Sequence, residues 1–118
     1  MPTSKQSHTV ASHFEKSAPA VHETYKNIVR AVRELGSVRE EPKKTSIHLV
    51  RKTAFAGIAT RKDALILTLK SAGPVESKRI HRREQVSSHR WHVEIRLKAP
   101  SEIDSEIRDL LKAAYEIS

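Results

Sequence analysis

Cysteine is missing altogether from the 118 residues, which removes disulfide staples, thiolate metal ligands and thiol nucleophiles from consideration. The absence fits a reducing compartment, and a cytoplasmic location is expected. No apolar run comes near the roughly 20 residues that a membrane-spanning helix needs, and the opening MPTSKQSHTVASHF has no apolar signal core. Neither membrane association nor export is expected. Glycine occurs only three times, with no glycine-rich phosphate cradle and no strained serine elbow. Aromatics are equally sparse. Of Phe14, Tyr25, Phe55, Trp91 and Tyr115, four fall on apolar stripes or in a small-residue strand, where core packing accounts for them better than base stacking does.

What the chain does have is positive charge, a net of +8, unevenly placed. Residues 1–36 carry five Lys/Arg against three Glu, residues 99–118 carry two against five acidic groups, and residues 37–98 carry fifteen against six. The excess is central. Such a balance raises encounter rates with nucleic acid, phosphorylated ligands or acidic proteins, although it also serves plain solubility.

The length suits one domain with a modest core. Polar residues 1–12 read as a flexible N-terminal arm, and residues 13–118 as the domain. From Pro19 onward Val21, Tyr25, Ile28, Val29, Val32 and Leu35 recur at helical spacing, and Gly36 follows as a helix stop. Near the other end Pro100 precedes Ser101, read as a capping hydroxyl with Asp104 three residues on. Glu102 and Glu106 lie at the positive end of the dipole, and Ile103, Ile107, Leu110, Leu111 and Ala114 supply the apolar stripe.

Between these helices the period drops to two. Segments around Ile47–Val50, Leu65–Lys70 and Trp91–Lys98 alternate as half-buried strands, Ala54–Thr60 is a small-residue strand around Gly57, and Ser77–Arg82 is a short fifth candidate. Glu40 and Glu41 are read as loop residues. The fold class is therefore α+β: an N-terminal helix, an antiparallel sheet of four or five strands and a C-terminal helix, with both helices on one sheet face. The other face stays open. It would carry His48, Thr68, Lys70, His92, Glu94 and Arg96, joined by Arg79 or His81 if the fifth strand pairs.

Two sets of candidate residues follow. Lys43, Lys44, Arg51, Lys52, Arg61, Lys62, Lys78, Arg79, Arg82, Arg83 and Arg90 occur mostly in turns and at strand ends, which can converge on one rim to meet nucleic-acid phosphates. On the open face His48, Arg79, His92, Glu94 and Arg96 could instead receive a small anionic ligand, with Lys44 entering from the edge. His92, Glu94 and Arg96 also make a proton-transfer site conceivable, but a solvated cross-strand charge ladder is the favoured reading of that trio. The pair His89 and His92 has metal-ligand spacing for a helix. In a strand a separation of three sends the side chains to opposite faces, so no metal and no cofactor are expected.

The run HFEKSAPAVHETYKNIVRAVRELGSV, followed by REEPKKTSIHLVRKTAFAGIATRKDALILTLK and RIHRREQVSSHRWHVEIRLKAPSEIDSEIRDLLKAAYE, closely resembles the DUF5655 family of unknown function. The likeness extends from about His13 to Glu116. Its clearest marks are Glu41-Pro42-Lys43-Lys44-Thr45, the Phe55 strand and the Ser101–Tyr115 helix. It implies no activity, cofactor or catalytic residue. In shape the expected arrangement is similar to the frataxin-like sandwich, an analogy that also brings some DNA-binding modules to mind. The expected function is a non-catalytic module for an anionic partner on a basic sheet face or rim, nucleic acid first. The alternative is a small-ligand or enzyme site around His48, His92, Glu94 and Arg96.

Overall fold

The alternating segments become neighbours in one antiparallel sheet in the computed structural model, which describes residues 9–118. Its strands are β1 (Arg39–Pro42), β2 (Ile47–Val50), β3 (Ala54–Thr60), β4 (Leu65–Ser71), β5 (Ile80–Ser87) and β6 (Arg90–Leu97). Their spatial order is β1-β2-β3-β4-β6-β5. The sheet thus has six strands rather than four or five. The addition is β1, a short and polar edge strand whose Glu40 and Glu41 pair with Leu49 and His48. It has no alternation to betray it, because only backbone pairing with β2 makes it a strand. β5 begins and ends later than expected and is almost wholly exposed, the opposite edge of the sheet.

Register builds the core directly. Leu49, Ala56, Leu69 and Val93 form one cross-strand row, and Ile47, Ile58, Leu67 and Ile95 the next, all buried on the same face. Helices α1 (Pro19–Arg33) and α2 (Ser105–Glu116) cover that face. α1 contributes Val21, Tyr25, Ile28, Val29 and Val32, as its periodicity requires, whereas Leu35 lies beyond the helix and is exposed. Thr24 is the one buried polar residue of the described chain; its hydroxyl donates to the Ala20 carbonyl one turn back. Phe14, Tyr25, Phe55 and Tyr115 are buried, and Trp91 is half-buried on β6. Core packing thus accounts for four of the five aromatics; Phe14, which lies on no expected stripe, is among them, and Trp91, from the apolar half of its strand, is not.

Two helix ends differ from the sequence reading. Gly36 lies beyond the last turn of α1 and does not cap it, yet it has a positive φ of 153°. At α2 the cap is Asp104 rather than Ser101, its carboxylate accepting from the Ile107 amide at 3.1 Å. Pro100–Glu102 forms a separate 3-10 turn, in which Glu102 accepts the amide of Ala99. Of the expected arm, residues 1–8 lie outside the described residues. Thr9 and Ser12 exchange side-chain hydrogen bonds and lead into the 3-10 turn Ala11–Phe14.

The cap carries a pH dependence. The Ile107 amide and then the Arg79 guanidinium hold the Asp104 carboxyl below its usual range, and Arg39 with Lys43 does the same for Glu41. A lowered folded pKa contributes stability above the unfolded value of about 4, and that contribution is lost as pH falls through the folded value. Asp104→Asn keeps a capping acceptor but cannot ionise. Urea midpoints measured from pH 7 down to pH 2 are expected to fall less steeply in this variant than in the wild type.

Candidate functional site

Both helices start at the same end of the sheet. The Ala18 amide, just before α1, donates to the Lys62 carbonyl in the β3–β4 turn at 2.7 Å, and α2 follows directly on the end of β6. The 3-10 turn Ala11–Phe14 wedges into this end and ties two cationic turns together. His13 donates from Nε2 to the Lys43 carbonyl in the β1–β2 turn at 2.8 Å, while its own carbonyl accepts from the Thr60 hydroxyl at 2.7 Å. Ser17 donates to the Arg61 carbonyl at 2.8 Å. A polar hollow of about 460 Å³ lies among His13, Lys16, Ser17, Arg61 and Lys62, with Glu15 the one carboxylate in its lining. Lys43, Lys44, Arg61 and Lys62 are thereby gathered at one end, with Lys16 beside the Arg61-Lys62 turn.

The remaining basic candidates do not join them. Arg51 and Lys52 occupy the β2–β3 turn at the opposite end, and Arg90 starts β6 beside the β5–β6 turn at that same end. Arg51 is committed to structure: its guanidinium lies 4.6 Å over the Tyr115 ring and donates to the Tyr115 carbonyl at 3.1 Å, where the negative end of α2 favours a cation. Arg82 and Arg83 are on the β5 edge, Arg83 donating to the Val75 carbonyl at 3.0 Å, and Lys78 is exposed in the loop before it. The eleven basic candidates are therefore divided among two sheet ends and an edge, because alternate turns of an antiparallel sheet fall at opposite ends.

The open face forms as its alternation requires. His48 stands opposite Glu41 on β1 and Gly57 on β3, and Gly57 faces Thr68 on β4. One row on, Lys70 faces His92, which in turn faces Glu84. A groove of about 300 Å³ runs across these strands between His48 and His92, with Ser46, Gly57, Thr68 and Lys70 also lining it. Glycine at position 57 leaves the floor low. Lys70 reaches across the surface to the Thr53 hydroxyl at 2.9 Å.

Three open-face candidates are corrected by this geometry. Arg79 is not on the open face: it precedes β5 and turns to α2, donating to the Asp104 carboxylate and the Glu102 carbonyl, both at 2.8 Å. A strand beginning at Ser77 would carry Arg79 in the sheet, but β5 begins only at Ile80. Glu94 and Arg96 do share the face, but neither lines the groove. Glu94 pairs across strands with Thr68 and Arg82, and Arg96 lies 3.8 Å from Asp63. His89 occupies the β5–β6 turn, apart from His92. Among the described residues no group of three or more His, Cys, Asp or Glu is arranged to hold a metal ion.

Sequence reasoning missed His13, Lys16, Ser46 and Gly57 as contributors. Gly57 was visible as a small residue within a strand, which signals close approach or open space. Nothing in the sequence signals Lys16, since its position depends on contacts between turns far apart in the chain. Elsewhere, Tyr25 hydrogen-bonds Glu40, and burial together with that carboxylate pushes its phenol above the usual range. This pair, with Arg33 at 3.1 Å from Glu40, fastens β1 to α1.

The family model of DUF5655, a domain of unknown function, matches residues 10–118, and the chain belongs to that family. No curated protein and no solved structure matches it. Among the described residues no helix is long and apolar enough to cross a membrane.

Proposed function

We propose that this DUF5655 chain is a non-catalytic binding module whose basic end takes an anionic polymer, nucleic acid first, through its phosphate backbone. The observation that carries the reading is the convergence of the Lys43-Lys44 and Arg61-Lys62 turns around His13, with Lys16 beside the Arg61-Lys62 turn. Lys16, Lys44, Arg61 and Lys62 make no ion pair among the described residues, so mobile counterions neutralise them and are free to be released. The positive dipole end of α1, with no acidic residue in its first turn, lies at the same end and adds to the field, whereas that of α2 is already met by the Asp104 cap. Contact is with backbone rather than bases, since the aromatics that could stack are mostly buried. A cytoplasmic setting belongs to this reading, as does the frataxin-like sandwich, taken as an analogy of shape in which helices cover one face and leave the other face and the ends for partners.

Fluorescence anisotropy with short duplex and single-stranded DNA and RNA tests it. Neutralising about four duplex phosphates gives a log–log salt slope of about −3.6, so affinity should fall about 100-fold between roughly 50 and 200 mM salt. Lys16→Glu/Lys62→Glu is expected to weaken binding at least about tenfold and make the slope shallower, whereas Arg82→Glu/Arg83→Glu on the β5 edge changes little. Absence of binding at the lower salt, or equal loss in both variants, overturns the reading.

A further inference from the structure

The open-face groove lies on the sheet surface rather than at the basic end, and its chemistry suits a different occupant. Its volume of about 300 Å³ is at the small end of ligand sites, enough for a one- or two-ring molecule. The floor is low because position 57 has no side chain. A Cβ built there would meet its nearest neighbour, His48 Cδ2, only at 3.9 Å, so space stands open above Gly57.

Two imidazoles bound that space. β2 and β6 are separated by β3 and β4, so at about 4.8 Å per strand His48 and His92 stand about 14 Å apart across the sheet. Between them the surface is made of Gly57, Thr68 and flanking alanines, flat and largely apolar. At the His92 side Lys70 brings an ammonium that forms no ion pair among the described residues, held by its bond to Thr53. No carboxylate side chain lines the groove. A flat apolar floor, imidazole walls and a single cationic corner select a ligand that is flat, apolar over most of its surface and anionic at one end.

We propose that this groove binds a planar aromatic carboxylate, its ring laid over Gly57 between the two histidines and its carboxylate on Lys70 and His92. The proposal is independent of the nucleic-acid reading, because it uses none of Lys16, Lys43, Lys44, Arg61 or Lys62.

The test is an amide chemical-shift titration of the full chain with 2-naphthoate, with 2-naphthalenemethanol as the uncharged analogue and acetate as the ringless one. Naphthoate is expected to shift amides of β3 and β4 around Gly57 and Thr68 saturably. The alcohol should bind about tenfold more weakly, and so should naphthoate to Lys70→Met, as loss of one charge-assisted bond requires. Gly57→Ala places a methyl on the floor without a clash, so it should keep the wild-type thermal midpoint or raise it while weakening naphthoate. Lys16→Glu/Lys62→Glu should bind naphthoate as the wild type does, which separates the two sites. Equal binding of the alcohol would reduce the groove to an apolar trough, and equal binding of acetate would reduce it to a surface cation; either overturns the proposal. So does the absence of saturable shifts, or naphthoate binding indifferent to both Gly57→Ala and Lys70→Met.

Discussion

Gly36→Ala is expected to lower stability by about 3 kcal/mol, a large share of the 5–15 kcal/mol that holds a typical domain together. Two causes add. At a φ of 153° an L side chain is strained, and such backbone strain alone costs on the order of 1–3 kcal/mol. The new methyl would also collide with the Tyr115 hydroxyl, which donates to the neighbouring Ser37 carbonyl at 3.1 Å. Tyr115 cannot easily yield, because its ring packs edge-on against Phe55 with centroids 5.3 Å apart and lies under Arg51. Tyr115→Phe alone loses one hydrogen bond, about 1 kcal/mol. In Gly36→Ala/Tyr115→Phe the hydroxyl is gone, so the pair should cost less than the sum of the single changes, leaving mainly backbone strain. Urea unfolding of the four proteins measures the coupling; strict additivity would show that the collision is relieved by other means.

Leu67→Ala should cost about 3–4 kcal/mol, by loss of transfer energy together with the cavity left behind. Leu67 is fully buried in β4, between Ile58 on β3 and Ile95 on β6, with both helices packed against that strand. Few neighbours there can move inward, since cross-strand hydrogen bonds fix the strands on either side. Ile66, the preceding residue, points to the open face and is only half-buried, so Ile66→Ala should cost about 1 kcal/mol. Equilibrium unfolding of the two variants is a direct comparison of the two faces of one strand. Comparable losses would mean that the outer face is covered as thoroughly as the inner one.

The same contrast explains why some elements were legible and others were not. Alternation in ILTLK and WHVEIRL marks strands because every second side chain must leave water, and the i, i+3, i+4 stripe of Val21, Tyr25 and Ile28 marks a helix for the same reason. β1 and the outer half of β5 bury little, so hydrophobic pattern carries no trace of them; their backbones pair at sheet edges. The groove was partly legible. His48, Thr68, Lys70 and His92 follow from strand parity alone, whereas the removal of Arg79 to α2 depends on an unforeseen cap at Asp104.

Composition and periodicity by themselves determined an α+β chain with one covered and one open sheet face, because burial of apolar surface acts on every second or every third to fourth residue. Only the tertiary structure decided which charges meet. The Lys43-Lys44 and Arg61-Lys62 turns are brought together by His13, and Arg51 is drawn off to Tyr115, by contacts between residues distant along the chain. Gly36 owes its necessity to a hydroxyl from the last turn of α2, 79 positions later. Charged side chains in turns bury little and repeat with no period, so their grouping is fixed by how the elements pack, a property that no local stretch of sequence contains.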